Sequence, residues 1–481
     1  MEIAVKESLN QSKSGKQRTS RWFTNWKFLI PVIIVVIALI ISALSYYRAT
    51  HFNTNVTING IKVGGLTAED ALQQLKATVL KNEVYIGDQL IYNGKDTNSG
   101  FSGKDLASIE NILNKQQTFL PSSKKQDFAL IPSQLDQTRI QEMKTEMETK
   151  LTEMNKDLTP PQDAQVRLEN GKIIIENSVD GKQYDVATLM NQYEKQKYSS
   201  EIHLEPTFIE AIKEDSELIE IEKGKLQELL QHTVQYKVQD KVHALKGSDL
   251  IKNATISKDL TVTIDTENIN NKISEINHSQ STLNKDFSFK SNSGKVITVK
   301  GQGYGWALDV EKEASQIDKA FANGETTLSA SNTYGHGWSG EGYGYGVTKN
   351  GGIGDTYAEV SLAEQRMWIY RDGQLVFTTH VVTGNHNTGE ETSEGVWYVL
   401  YKRTPYELTG SRVGGSPYAI EVNYWVPFTN SGQGFHDASW RTNWSGNAYI
   451  SDGSGGCVNV EPGLMKKVYE NLNVYDPVVV Y

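Results

Sequence analysis

YAEVSLAEQRMWIYRDGQLVFTTHVVTG, residues 357–384, decides how the C-terminal part of the chain folds. Short runs of β-branched and aromatic residues alternate with turn formers, and Arg371-Asp372-Gly373-Gln374 is a tight turn between two of them. EGVWYVLYKR (394–403) and YAIEVNYWVPF (418–428) continue the pattern. Residues 355–481 are therefore expected to be one mainly-β domain.

That domain holds the only cysteine of the 481 residues, Cys457, so no internal disulfide and no Cys-rich zinc site is possible. The thiol stands in ISDGSGGCVNV (450–460), a little after GFHDASWR (434–441). Successive glycines let backbone N–H groups converge on one concavity beside a nucleophile, making Ser454, Gly455 and Gly456 candidate oxyanion-loop residues. Glu461-Pro462-Gly463 reads as a helix start, and a cysteine at a helix N-terminus has a depressed pKa. Of nine histidines, His436 is the one set between an aromatic and an acid just upstream of the cysteine segment. Asp437, Trp440, Arg441, Tyr449 and Asn459 are candidate substrate-cleft residues. Alternation along a strand makes a backbone carbonyl at least as good an orienting group for His436 as the Asp437 carboxylate.

Upstream, SNTYGHGWSGEGYGYGVTKNGGIG (331–354) is rich in glycine and aromatics, and a linker is expected over 336–354. Before it, two stretches share one order of features. ENGKIIIENSVDGKQYDVATLMNQYEKQ begins at Glu169, and SNSGKVITVKGQGYGWALDVEKEASQIDKAF begins at Ser291. Each has a Gly-Lys turn, a β-branched run, a glycine turn, an aromatic, then Asp-Val opening a helix. Two similar α+β modules, 126–215 and 216–335, are expected. NTNVTINGIKVGG (53–65) turns at Asn59-Gly60, and LTAEDALQQLKATVL (66–80) has a Thr67 N-cap with an apolar face, so 48–125 reads as a further small α+β module.

Residues 28–47, FLIPVIIVVIALIISALSYY, carry no charge. Roughly 20 apolar residues rising about 1.5 Å each span a hydrocarbon core of about 30 Å. Lys6, Lys13, Lys16, Arg18, Arg21 and Lys27 precede the span and only Arg48 closely follows. Positive-inside asymmetry predicts a cytoplasmic tail over 1–27, a membrane anchor over 28–47, and everything later outside the cell membrane. A cleaved signal peptide is the competing reading of that segment. The net charge of −10 argues against a nucleic-acid partner, because a phosphate backbone demands a basic surface. No cofactor or metal is expected.

His436, Ser454, Gly456, Cys457 and Asn459 together resemble the motif of the L,D-transpeptidase (YkuD-type) family, with the histidine about twenty residues before the cysteine. The strands of 357–385 and ETSEGVWYVL resemble that family's opening strands. VTINGIKVGGLTAEDAL and YGWALDVEKEA resemble peptidoglycan-binding modules that often precede it in Gram-positive bacteria. The resemblance implies a multidomain protein with a β-sandwich-like catalytic domain bearing the cysteine in a surface cleft. It implies Cys457 as nucleophile and His436 as base in acyl transfer between peptidoglycan stem peptides, with glycan and stem peptides as partners and carbapenems as covalent inhibitors. One departure is present: the family has Ser-His-Gly-Cys, whereas this chain has Ser454-Gly455-Gly456-Cys457. A non-catalytic envelope-binding protein is the alternative from another class. A sortase shares the anchor and the Cys/His pair, yet it uses an arginine after the cysteine, and none follows Cys457.

Overall fold

A computed structural model describes residues 26–116, 122–134, 136–199, 201–415 and 417–481. The basic stretch through Arg21, with Trp22 and Phe23, lies outside the described residues. Trp26–Thr50 is a continuous helix with Pro31 inside it. Its segment Leu29–Thr50, with a mean hydropathy of 2.8, is long and apolar enough to cross a membrane.

The chain divides into two compact units, residues 1–163 with 178–212, and residues 164–177 with 213–481. In the first unit the Asn59-Gly60 hairpin and the helix Ala68–Ala77 form as expected, with Thr67 Oγ1 accepting from the Asp70 N–H at 3.1 Å. Phe52, Val56, Leu72, Leu75 and Ile109 close a core around them. The boundary placed at 125/126 does not separate cores. The strand Glu83–Ile86 pairs in parallel with Ile202–Leu204 and packs on Met143, Met147, Leu189 and Tyr193. Pairing between segments so far apart in sequence leaves no local signal.

The second unit contains the hairpin Gln165–Glu169/Lys172–Glu176, which the sequence boundary assigned to the earlier module; Ala254 and Thr255 pair with Leu168 and Arg167. The two look-alike stretches share one local feature. Each hairpin is followed by a helix whose aspartate caps it, Asp185 for Val186–Gln196 and Asp309 for Val310–Asn323. Their hairpins differ in partners, however. Phe287–Lys290/Val296–Val299 pairs only with itself and packs through Phe287, Phe289 and Val299 on the C-terminal domain.

That domain contains β1 (Tyr357–Ser361), β2 (Arg366–Arg371), β3 (Gln374–Val382), β4 (Gly395–Tyr398), β5 (Tyr406–Ser411), β6 (Pro417–Val422), β7 (Trp425–Pro427), β8 (Gly434–Asp437), β9 (Val458–Val460) and β10 (Pro477–Val480). Eight of them hydrogen-bond in the order β4-β10-β1-β2-β3-β9-β8-β7, while β5 and β6 form a separate hairpin. β3 pairs with β2 through His380 and with β9 at Val381–Val382, so its end joins the two halves. Both halves face one core: Ala358, Val360 and Val478 from one, Val426, Phe435 and Val458 from the other, closed by Met465 and Val468 of the helix Pro462–Asn471. Each such side chain contributes about 1.5–3 kcal/mol on full burial. The opposite face of β1, β4 and β10 is covered by Phe287, Phe289 and Tyr304. Covering both faces explains why Tyr357–Ser361 is buried at every position instead of alternating.

Candidate active site

Successive side chains on a strand point to opposite faces, and residues in register across two strands share a face. Phe435, Val458 and Val460 enter the core. His436, Cys457 and Asn459 must then lie on the other face, with His436 directly in register with Asn459 on the parallel pair β8–β9. The β5–β6 hairpin stands over that face. The two enclose a cavity of about 390 Å3 lined by Cys457, His436, Asn459, Ser454, Gly455, Trp440 and Arg441 from the sheet side, and by Leu408, Arg412, Tyr418 and Ile420 from the hairpin side.

Cys457 is half-buried, and its thiol donates to the Gly432 carbonyl at 3.7 Å. Shielding from water pushes the thiol up to about 11, against a smaller opposing pull from the Gly434 N–H. The expectation of a helix-lowered thiol is therefore overturned. β9 intervenes between Cys457 and the helix, which begins only at Pro462, so the cysteine is not at a helix N-terminus.

His436 is buried, and burial lowers its pKa below the ordinary histidine value. Its Nδ1 lies 2.9 Å from the Asp437 main-chain oxygen. A carbonyl cannot donate, so Nδ1 carries the proton and Nε2 keeps its lone pair. Trp440 stacks on the imidazole at 5.7 Å and 26°, and Trp425 flanks it at 5.9 Å. The Asp437 carboxylate turns away, accepting from the Asn423 and Tyr424 N–H groups and from Asn423 Nδ2 at 2.8–3.1 Å. It holds the 423–424 turn and does not orient the ring.

Gly456 has φ +111°, and a Cβ there would meet Gln433 Nε2 at 2.6 Å, so this position needs glycine. Its N–H donates to Ser454 Oγ at 3.1 Å, which removes it from the set of open oxyanion donors; Ser454 Oγ in turn donates to the Cys457 carbonyl. Tyr449 does not line the cavity; its carbonyl accepts the His386 N–H. Two buried polar atoms on the cavity wall have no hydrogen-bond partner, Arg441 Nε and Asn459 Oδ1. Arg441 Nη1 is held by the Asp452 carbonyl at 2.6 Å. Sequence reasoning missed the whole hairpin contribution, because Leu408, Arg412, Tyr418 and Ile420 reach the site only through tertiary packing.

Residues 355–480 match the YkuD family, the L,D-transpeptidase catalytic domain. The catalytic domain of the Enterococcus faecium L,D-transpeptidase, solved free and acylated by ertapenem, is 38% identical to this chain, covering 26% of this chain and 97% of that one, with a TM-score of 0.25. The chain belongs to the L,D-transpeptidase family. Residues 215–329 of this family member match a domain described as peptidoglycan binding. A Cys-to-Ser mutant of the E. faecium L,D-transpeptidase matches at 28% identity, covering 54% of this chain and 99% of that one, with a TM-score of 0.46. A comparison with curated proteins returned no match. Within the transpeptidase domain, the space beside Gly455 is bordered by the Arg412 side-chain stem from the hairpin.

Proposed function

We propose that this chain is a membrane-anchored, peptidoglycan cross-linking L,D-transpeptidase in which Cys457 is the nucleophile and His436 the base. The observation that carries the reading is the shared cavity: a thiol and an imidazole with a free Nε2 lone pair border one open space on the same sheet face. The Cys457 Sγ attacks the carbonyl between the third and fourth residues of a stem tetrapeptide while His436 Nε2 takes the thiol proton. Collapse of the tetrahedral intermediate breaks the C–N bond, and the imidazolium gives its proton to the departing D-Ala amine. A side-chain amine of a second stem then attacks the thioester, releasing the thiol and joining the two third residues. With both partners neutral at pH 7, proton removal accompanies attack and no preformed ion pair is needed.

Gly455 and Cys457 supply the N–H groups for the oxyanion, since the Gly456 N–H is engaged by Ser454. Arg441 Nε offers a donor, and Asn459 Oδ1 an acceptor, to the substrate's backbone amides. Trp440 forms a wall of the cleft. The helix Trp26–Thr50 anchors the chain with its catalytic domain outside the cell, and the domain over residues 215–329 binds glycan.

Detergent-solubilised full chain incubated with disaccharide tetrapeptide should yield cross-linked dimer and free D-Ala, read by mass. Cys457→Ala should abolish both, and His436→Ala should lower the rate by about 10²–10⁴-fold. A carbapenem should add to the intact protein once, and only with Cys457 present. Absence of both dimer and adduct would favour the non-catalytic binding protein instead.

A further inference from the structure

Nothing in the backbone demands glycine at position 455. Unlike Gly456 it does not have a left-handed φ, and a Cβ there would meet only Arg412 Cγ and Glu390 Oε1, each at 3.8 Å. The space beside this position is taken by the Arg412 side chain. Arg412 follows β5 directly and reaches from the hairpin to the cysteine loop, where its Nη2 donates to the Gly453 carbonyl at 2.8 Å. Glu390 steadies the same nitrogen from 3.4 Å. That carboxylate is itself fixed, accepting from the Val413 N–H at 2.8 Å and the Thr388 hydroxyl at 2.7 Å, and its side chain is 8% exposed.

Arg412 is thus held by one nitrogen. Among the described residues its Nη1 and Nε have no hydrogen-bond partner, and 43% of the side chain remains exposed at the cavity that Cys457 lines. Two guanidiniums, Arg412 and Arg441, line that cavity, each paired with a carboxylate that lies outside the cavity lining, Glu390 and Asp452. The two open donors of the planar Arg412 guanidinium suit a further carboxylate. On the reading given above, the donor stem has one free carboxylate a single residue past the scissile bond, about 3.8 Å along the chain.

We propose that Arg412 is a specificity-determining residue that selects donor stems ending in a free carboxylate one residue beyond the scissile bond. This proposal rests on the transpeptidase reading, so its test is made on binding, which needs no turnover. Full-length Cys457→Ala protein is titrated with a stem tetrapeptide and with the same peptide capped as its C-terminal amide. The free acid should bind about 10- to 100-fold more tightly, as expected for a charge-assisted pair. Adding Arg412→Met should bring the acid to the affinity of the amide while leaving the amide unchanged, and Arg412→Lys should restore part of the preference. Adding Gly455→His, which crowds the Arg412 stem, should weaken the preference as well. Equal binding of both peptides by the Cys457→Ala protein, or an acid preference that survives Arg412→Met, overturns the assignment. Failure of the wild-type chain to form dimer, with the acid preference intact, would count against the transpeptidase reading alone.

Discussion

The state of the Cys457 proton separates two kinds of cysteine enzyme, and the single thiol makes it measurable without background. Burial pushes this thiol up to about 11, and His436 is held neutral. At pH 7 the thiolate fraction is then on the order of 1 in 10⁴, against about 1 in 30 for a free cysteine of pKa about 8.5. Ionisation alone slows attack on a small aromatic disulfide by roughly 300-fold. A more basic thiolate is also more nucleophilic, and a Brønsted slope of about 0.4–0.5 recovers roughly tenfold of that. The net expectation is a reaction about 30-fold slower than free cysteine at pH 7, with a rate still rising above pH 9. The release of the coloured leaving thiolate is followed from pH 6 to 10.5 on the full chain, wild type and His436→Ala. The shape of the profile should survive the histidine substitution, because no thiolate–imidazolium pair exists to be broken. A plateau below pH 8, lost in His436→Ala, would refute this reasoning and establish a preformed ion pair.

Further outcomes follow from the same geometry. Asp437→Ala strands two backbone N–H groups and the Asn423 amide, so unfolding free energy should fall by about 2–5 kcal/mol in urea titrations while carbapenem acylation of the folded protein persists; lost acylation at unchanged stability would return Asp437 to the chemistry. Gly456→Ala must displace Gln433 from a left-handed backbone and should slow acylation about tenfold or more, whereas Gly455→Ala should stay within about threefold of wild type. His436 has a depressed folded pKa, so the unfolded chain takes up its proton first as pH falls through about 6.5. Wild type should therefore lose stability relative to His436→Asn by about 1.4 kcal/mol per pH unit below that value until the folded imidazole also titrates; parallel pH profiles for the two proteins would contradict a neutral buried ring.

Local pattern alone determined much here. The charge-free run of 28–47, the Asn59-Gly60 turn, the Thr67, Asp185 and Asp309 caps and the strands of 357–384 are all written in short-range sequence, because periodicity and capping act within a few residues. Cys457 and His436, expected from the sequence as one chemical motif, line the same cavity. Tertiary structure decided the rest. Only the β8–β9 register puts His436, Cys457 and Asn459 on one face and sends the Asp437 carboxylate to the other. Only packing shields the thiol from water, raising a pKa that the sequence suggested would fall, and β9 keeps the thiol away from the helix N-terminus. Strand partners far apart in the chain, such as Val84–Ile86 with Ile202–Leu204, leave no local trace, so module boundaries could not be read off composition. The same holds for Arg412, whose place beside Gly455 depends on how a separate hairpin folds over the sheet. Electrostatics and burial depend on the distances between residues in space, and a linear pattern fixes those only within a turn of helix or a step of strand.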